Sequence, residues 1–229
     1  MYTPNGTMSS SQSPAASQGE QRLSASASAI LGLLASRARS GYEIAREMDQ
    51  TLRFIWPRAT SKLYEAPKLL VERGLARARQ EHVGRRPRTV YSSTPKGRRA
   101  VGAWLRSPPA HIELEAEPIV RVWFSHLGSK HDLEAAIEAV RAQAQAALQH
   151  GVEIGYARLA EMPPERGHVA ALVYRFIWDY NTMLIRWATW AYEEIDGWTD
   201  TAPSPEKFER AAEVLRECLA RSEAGVVNE

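Results

Sequence analysis

Three arginines surround a Gly/Pro turn in the first half of the chain, in the run Gly84-Arg85-Arg86-Pro87-Arg88. Guanidinium groups keep their charge at all physiological pH values and bind phosphate oxygens with good geometry. A second set of polar residues precedes this run and consists of Arg58, Thr60, Ser61, Lys62, Tyr64 and Lys68. Hydroxyl and ammonium groups at the start of a helix can contact both phosphates and base edges. The two sets together indicate a surface that binds a phosphate-rich polyanion.

The charge of the chain is divided unevenly along its length. Residues 37–106 contain 17 lysines and arginines against 6 acidic residues, which gives a net charge of +11. Residues 107–229 contain 11 against 20, which gives −9, so the overall net charge of +2 hides two opposite halves. This asymmetry predicts a basic module that meets a polyanion, joined to an acidic module with another role.

No set of residues in the sequence points to catalysis, to a metal or to a cofactor. The histidines are scattered, no Cys/His cluster is present, and no glycine-rich phosphate loop or nucleophile motif is found. The protein is therefore expected not to be an enzyme and to need no metal or cofactor. The single cysteine, Cys218, excludes an internal disulfide and is expected to be a small buried side chain in a reducing cytoplasm. No apolar run approaches the ~20 residues that cross a bilayer, so no membrane partner is expected.

The elements that must position the two polar sets can be read from residues 23–107. Residues 1–22 are rich in Ser, Ala, Gln and Gly and are predicted to be disordered. Helical periodicity predicts helices over residues 23–35, 42–52, 60–73 and 95–105. Gly74 is expected to end the third helix in a left-handed conformation, and Thr94 to cap the fourth, with Pro95 at its first position. Alternation predicts strands over 75–83 and 89–93, joined by a loop at 84–88.

This order of elements is typical of a winged helix-turn-helix, a mainly α fold with a two-stranded β wing. In that architecture the third helix lies in the major groove of DNA and the wing follows the backbone. With Leu63, Ala66 and Leu70 inward, the outward residues of the third helix are predicted to be Ser61, Lys62, Glu65 and Lys68. Pro67 falls inside this helix, so the helix is expected either to be kinked or to start later.

The second half, residues 108–229, is predicted to be helical over residues 118–127, 132–161, 168–195 and 205–222. Long antiparallel helices with more than one apolar face tend to pack against a second copy of themselves, which favours a homodimer. Aromatic residues are frequent in this half and include Trp123, Trp178, Trp187 and Trp190. They are interpreted either as the lining of a ligand pocket at the dimer interface or as the core of the dimer.

The N-terminal motifs resemble those of the PadR family of bacterial transcriptional regulators. The similarity is carried by "SGYEIAREM", by "WPRATSKLYEAPKLLVERGLA" and by "YSSTPKGRRAVGAWL", which together cover about residues 23–105. The resemblance implies a homodimeric repressor or activator, in a family in which many members respond to small aromatic ligands or drugs. It also implies a role for Tyr42, which matches the family's tyrosine at the start of the second helix. Pro67 departs from the pattern, since an apolar leucine is expected there.

The leading hypothesis is a sequence-specific regulator, with repression preferred, that binds double-stranded DNA at a near-palindromic operator and works in the cytoplasm on the nucleoid. Its predicted DNA contacts are Tyr42, Arg58, Thr60, Ser61, Lys62, Tyr64, Lys68, Arg85, Arg86 and Arg88. The alternative is a winged-helix module used for protein–protein assembly with no role on DNA. Both hypotheses fit the basic N-terminal half, and the combination of an arginine-bearing wing with a lysine-bearing third helix favours DNA.

Overall fold

A computed structural model describes residues 23–51, 55, 63, 65–83, 86–159 and 164–223. The predicted disorder of residues 1–22 therefore lies outside the described residues. The chain divides into two compact units, with the division between Pro109 and Ala110. The described residues are mostly helical, and the winged-helix and helical architecture predicted from the sequence is confirmed.

The first unit packs four helices around a small antiparallel sheet. The helices are α1 (Ala25–Ser36), α2 (Gly41–Thr51), α3 (Ala66–Glu72) and α4 (Pro95–Arg106), and the strands are β1 (Arg39–Ser40), β2 (Ala76–Val83) and β3 (Arg86–Ser93). The strand order in the sheet is β1-β3-β2. Strand β1 was not predicted: its two residues, Arg39 and Ser40, pair with Tyr91 and Val90 of β3. The wing itself is the β2–β3 hairpin.

The core of the first unit joins its first three helices. Ile30 and Leu31 of α1, Ile44 of α2 and Leu70 of α3 have no exposed surface. Together with the buried Ala27 and Leu34 of α1, Met48 of α2 and Ala66 of α3, these positions recur at three- and four-residue spacing, so each helix turns one apolar face inward. The burial of these side chains supplies the main stabilising term for the unit.

A buried arginine closes the end of α1. Arg39 has 2% of its surface exposed, and its guanidinium donates hydrogen bonds to the carbonyl oxygens of Leu33 and Arg37 and to the hydroxyl of Ser36. The last carbonyls of a helix lack partners within the helix and carry partial negative charge. Arg39 therefore satisfies these groups and fixes the direction in which the chain leaves α1 toward α2.

The end of α3, the base of the wing and the start of α4 form one hydrogen-bonded junction. Gly74 has a φ of 68°, its N–H donates to the carbonyl of Val71, and the N–H of Leu75 donates to that of Leu70. This is the Schellman arrangement that ends helices at glycine. The hydroxyl of Thr94 donates to the carbonyl of Gly74 at 2.8 Å and accepts from the N–H of Gly97 at 3.0 Å. The predicted stop at Gly74 and the predicted cap at Thr94 are both confirmed.

The predicted start of the second wing strand differs from the structure. Pro87 and Arg88 belong to β3 rather than to the loop, because Pro87 pairs with His82 and Arg88 with Glu81. Proline lacks an N–H and is tolerated in strands at a free edge. Strand β3 pairs with β1 only at Val90 and Tyr91, which leaves such an edge at Pro87.

The second unit consists of α5 (Glu117–Phe124), a 3₁₀ turn (Ser125–Leu127), α6 (Lys130–Leu159), α7 (Pro164–Ile195) and α8 (Pro205–Glu223). All four predicted helices are present, although α7 begins earlier than predicted. The core lies between α6 and the C-terminal part of α7, where Leu133 and Ile137 pack with Ala188, Ala191 and Ile195. Cys218 of α8 is exposed, so its predicted burial is wrong for the single chain. None of the described helices is long and apolar enough to span a membrane.

Candidate nucleic-acid interface

Helix α3 presents one buried and one exposed face, as predicted. Leu63, Ala66 and Leu70 are buried, whereas Glu65 and Lys68 are exposed. Five residues of the predicted interface, Arg58, Thr60, Ser61, Lys62 and Tyr64, lie outside the described residues. Lys68 is therefore the predicted contact on this helix whose position the structure gives.

Pro67 lies in the first turn of the described helix. Glu65 occupies the position before the helix, and the first helical hydrogen bond runs from the N–H of Leu69 to the carbonyl of Glu65. A proline in the first turn costs no hydrogen bond, because the N–H groups there have no helical partner. Pro67 is also fully buried, so its ring takes the place of an apolar side chain in the core. Of the two expectations for this proline, the described residues agree with a helix that starts at Ala66.

The start of α2 is fixed by a reciprocal pair of hydrogen bonds between Ser40 and Glu43. The N–H and the hydroxyl of Ser40 both donate to the Glu43 carboxylate at 2.7 Å, and the N–H of Glu43 donates back to the Ser40 hydroxyl at 3.3 Å. This is the capping box expected of a Ser-x-x-Glu sequence. It holds Tyr42 in the first turn of the helix, where 73% of the tyrosine is exposed.

Basic residues lie close to this capping box. The hydrogen bonds from Ser40 lower the pKa of Glu43, and the nearby charges of Arg88 and Arg37 lower it further. The same neighbourhood forms a shallow open depression lined by Ser40, Gly41, Tyr42, Arg88, Thr89 and Tyr91. The structure thus brings together two predicted contacts, Tyr42 of α2 and Arg88 of the wing, which are far apart in the sequence.

One face of the wing carries a row of arginines. Successive side chains of a strand alternate between its two faces, so Arg77 and Arg79 of β2 share a face with Glu81. Arg88 of β3 lies directly opposite Glu81 and joins the same face. The side chains of Arg77, Arg79 and Arg88 are all exposed. Arg86 is placed in β3 by its backbone, and Arg85 lies outside the described residues.

Arg77 and Arg79 were missed in the sequence analysis. The alternating run Ala76-Arg77-Ala78-Arg79 predicts a strand. The same alternation also places both arginines on one face of that strand. Their relation to Arg88 depends on the pairing register of the hairpin, which the alternation of one strand cannot supply.

The basic residues at the start of α4 have a structural environment of their own. The ammonium group of Lys96 lies 3.4 Å from the carbonyl of Arg73, at the C-terminal end of α3. The guanidinium of Arg98 lies 3.5 Å from the carbonyl of Ser93. Both cations therefore lie beside backbone carbonyls at the α3–β2–α4 junction, and they lend positive charge to the base of the wing.

The four tryptophans proposed for an effector pocket are not brought together within one chain. Trp187 packs against the core cluster of α6 and α7, whereas Trp123, Trp178 and Trp190 are exposed by 77%, 48% and 39%. Trp178 and Trp187 are nine residues apart on α7, which is two and a half turns, so they point to opposite sides. A pocket lined by all four would need a second copy of the chain.

An apolar stripe on α7 is exposed along its N-terminal half. Leu172, Phe176 and Met183 recur at helical spacing and are 71%, 54% and 41% exposed, and the ring of Phe176 stacks on Tyr180 at 6.4 Å between centroids. Nearer the C-terminal end of the same helix, Ala188, Ala191 and Ile195 pack against α6. A row of large apolar side chains in contact with water is typical of a surface that binds another protein. Among the described residues, no group of His, Cys, Asp and Glu side chains could hold a metal ion.

Comparison with known proteins finds one matching family model for each unit. Residues 30–103 match the model of the transcriptional regulator PadR-like family, and residues 116–196 match that of the virulence activator alpha C-terminal region. Residues 30–103 therefore resemble the PadR-like family of transcriptional regulators. A probable transcriptional regulator of Mycobacterium tuberculosis is 30% identical over 82 residues, which cover 35% of this chain and 43% of that protein. The chain thus matches less than half the length of this curated relative.

Solved structures of PadR-like proteins share the fold of both units. A PadR-like regulator from Bacillus cereus is similar with a TM-score of 0.65 at 15% identity, over 75% of this chain and 98% of that one. Bacillus subtilis PadR in complex with operator DNA is similar with a TM-score of 0.60 at 22% identity, over 71% of this chain and 94% of that one. The same B. subtilis protein in complex with p-coumaric acid is similar with a TM-score of 0.57 at 23% identity, over 74% of this chain and 97% of that one.

Proposed function

We propose that this PadR-like protein binds duplex DNA through its first unit and regulates transcription in a sequence-specific way. The observation that supports the proposal best is the meeting of Tyr42 and Arg88 at the start of α2, beside the arginine-bearing face of the wing. Guanidinium and phenol groups at such a position would donate to phosphate oxygens and fix the register of the protein on the duplex. The solved complex of B. subtilis PadR with operator DNA supports the same use of this fold.

Base recognition is assigned to the exposed face of α3 and to the residues that precede it. Lys68 is exposed on this face, and Ser61, Lys62 and Tyr64 are proposed to extend it toward the bases. Arg58 and Thr60 are proposed as further contacts on the same side. In the winged-helix arrangement this helix enters the major groove, where each base pair presents its own pattern of donors and acceptors.

The second unit is proposed to join two copies of the chain. The exposed stripe of Leu172, Phe176 and Met183 on α7 is the surface that a second copy would cover. A symmetric dimer would present its two α3 helices to half-sites about 34–36 Å apart on a near-palindromic operator. Repression is the proposed mode of action, since a dimer seated on an operator blocks access to the DNA beneath it.

A small aromatic effector is proposed to act through the tryptophan-rich second unit. Trp123, Trp178, Trp187 and Trp190 would line a pocket only where two chains meet, and the complex of B. subtilis PadR with p-coumaric acid supports a ligand of this class. The dimer is proposed to have two arrangements that differ in the distance between its two wings. Such a ligand would favour the arrangement that it binds better. No catalytic step is assigned to any of these residues, and the proposed place of action is the nucleoid in the cytoplasm.

The experiment that tests this function is a titration of the full chain with DNA at several salt concentrations. One duplex carries the sequence upstream of the protein's own gene, and the other is unrelated DNA of equal length. We expect a steep fall of log affinity with log salt and binding to the upstream duplex that is tighter by about a thousandfold or more. The variants Lys62→Gln and Arg86→Gln should weaken operator binding, while Arg221→Gln, the same charge change on α8, should not.

The results separate the proposal from its rival. Equal affinity of Lys62→Gln, Arg86→Gln and wild type for the upstream duplex would contradict the assigned interface. Absence of binding by wild type to either duplex at low salt would favour the assembly module, in which the basic face of the first unit meets an acidic protein instead of DNA.

A further inference from the structure

One carboxylate interrupts the basic face of the wing. Between Glu72 and Glu113 the sequence contains ten lysines and arginines and a single acidic residue, Glu81. Glu81 lies on β2 directly opposite Arg88 of β3, on the same face as Arg79. An acidic side chain at the centre of a surface that is to meet phosphates works against the attraction of that surface, so its position calls for an explanation.

The carboxylate of Glu81 binds two guanidinium groups at once. Its Oε1 accepts a hydrogen bond from Arg79, and its Oε2 accepts one from Arg88 at 3.1 Å. The two arginines hold the pKa of Glu81 below its usual value, so the carboxylate is charged at neutral pH. These three side chains therefore carry a net charge of +1 instead of the +2 that the arginines alone would give.

Stability does not explain this arrangement. The side chain of Arg79 is 79% exposed and that of Arg88 is 43% exposed. Ion pairs so open to water contribute little to the free energy of folding, because solvent screens them and both side chains lose rotational freedom. The effect of Glu81 on a bound polyanion is larger in comparison, since a phosphate oxygen and the Glu81 carboxylate compete for the same N–H groups.

We propose that Glu81 limits the affinity of the wing for DNA phosphates by competing with them for the guanidinium groups of Arg79 and Arg88. This inference rests on the proposed DNA-binding function. Binding to arbitrary DNA comes almost entirely from phosphate contacts, whereas binding to the operator also uses base contacts. A carboxylate that occupies Arg79 and Arg88 weakens the phosphate contacts that both kinds of DNA share and leaves the base contacts of α3 unchanged, so base contacts supply a larger share of the operator affinity.

The test compares wild type with Glu81→Gln, which removes the charge and keeps the shape. Each protein is titrated with a fluorescent random-sequence duplex and with the upstream duplex over a range of salt concentrations. For Glu81→Gln we expect affinity for the random duplex to rise about tenfold, and the slope of log affinity against log salt to steepen by about 0.9 for one added phosphate contact. Affinity for the upstream duplex should rise by a similar factor, because the same phosphate contact is gained, so the ratio of the two affinities changes little. The control Glu209→Gln, with the same charge change on exposed α8, should behave as wild type.

A double variant connects the effect to its proposed cause. In the background of Arg88→Gln, the further change Glu81→Gln should raise the affinity for the random duplex clearly less than it does in wild type. Thermal unfolding checks that each variant is folded, and elution from immobilised heparin gives a readout without DNA, in which Glu81→Gln should leave at higher salt than wild type.

The possible failures are distinct. If wild type binds DNA and Glu81→Gln binds the random duplex equally or more weakly, the inference is overturned and the proposed function stands. If neither protein binds either duplex at low salt, the proposed function fails and the inference fails with it.

Discussion

The carbonyl oxygen of Leu75 occupies the space that a β-carbon on residue 97 would need, so that only glycine fits at Gly97. The Ser93 hydroxyl would lie 2.8 Å from the same β-carbon. This close approach lets the first turn of α4 lie directly on the junction between α3 and the wing. The glycine of the Thr94-Pro95-Lys96-Gly97 run is therefore required by packing against a neighbouring backbone.

We predict that Gly97→Ala lowers the free energy of unfolding by about 1–3 kcal/mol, because the backbone of Leu75 or of α4 must shift to make room. The control is Gly102→Ala on the same helix, where the nearest atom is the flexible guanidinium of Arg106 at 3.4 Å. That change should stabilise the protein by up to about 1 kcal/mol, since alanine favours the helix. Denaturant unfolding of both variants checks the pair, and stabilisation by both would contradict the packing argument.

The capping box at the start of α2 predicts a defined dependence on pH. The Glu43 pKa lies below the ordinary value of 4.5, so the folded state holds a proton at this site less tightly than the unfolded state does. The stability that comes from the charged carboxylate is then complete above the unfolded pKa and is lost as pH falls through the lower folded pKa. We expect the free energy of unfolding of wild type to exceed that of Glu43→Gln by about 0.3–1 kcal/mol at pH 7 and by little at about pH 3.

Thermal unfolding of the two proteins at a series of pH values gives this measurement. The second unit contains an equivalent pair, in which Ser129 lowers the pKa of Asp132 by hydrogen bonds from its hydroxyl and N–H. Asp132→Asn should show the same sign of pH dependence. A difference between wild type and Glu43→Gln that stays constant from pH 7 to pH 3 would rule out the role of the charge.

Tyr42 is predicted to bind a phosphate through its hydroxyl and to contribute little to folding. With 73% of its surface exposed, Tyr42→Phe should change the free energy of unfolding by less than about 0.5 kcal/mol. The loss of one donor to a charged group should weaken binding to operator and unrelated duplex alike, by about five- to tenfold. Fluorescence anisotropy with both duplexes tests this, and a selective loss of operator binding would show that Tyr42 contacts a base instead.

The exposed stripe of α7 is predicted to hold the dimer together. Leu172→Asp or Phe176→Asp should give a monomer that remains helical, because both side chains are more than half exposed in the single chain. Thr182→Asp, an exposed position about 100° around the same helix from the stripe, should disturb the dimer much less. Sedimentation equilibrium over a range of concentrations measures the outcome. A wild-type protein that is monomeric at all concentrations would contradict the assignment.

Local signals in the sequence predicted most of the first unit. The boundaries of α4 follow from Thr94 and Pro95, and the end of α3 follows from Gly74, because each of these residues acts on its own backbone. Strand β1 was not predicted, because two residues are too few to show an alternating pattern. Arg39 and Ser40 form a strand only by pairing with residues about fifty positions later in the chain. Pro87 was predicted to lie in a loop, but it belongs to β3. A proline fits there because that edge of the strand is unpaired, which the local sequence does not reveal.

The candidate site was predicted in part. Lys68, Tyr42 and Arg88 are exposed, as contact with DNA would require. The residue types of Lys68 and Arg88 and the family resemblance of Tyr42 suggested this role, and DNA contact by each stays a prediction. The pairing of Glu81 with Arg79 and Arg88 depends on the register of two strands, and the exposed stripe of α7 depends on which face of the helix α6 covers. Both are tertiary relationships, so a pattern along one segment could not reveal them.

Strand β1 is much shorter than β2 and β3, so the sheet supports the wing at its base only. Strand β1 pairs with β3 only as far as Val90. Among the described residues, the outer part of the hairpin therefore consists of β2 and β3 alone. It contains four residue pairs, from Gln80–Thr89 to Val83–Arg86. At about 3.3 Å per residue this arm is about 13 Å long, and a tilt of about 10° at its base displaces its outer end by about 2 Å. Arg77, beside the base, would hardly move during such a tilt, whereas Arg86 would travel the full distance. Such a tilt would leave the inner arginine almost in place and move the outer ones furthest, which would adapt a single wing to DNA backbones of different curvature.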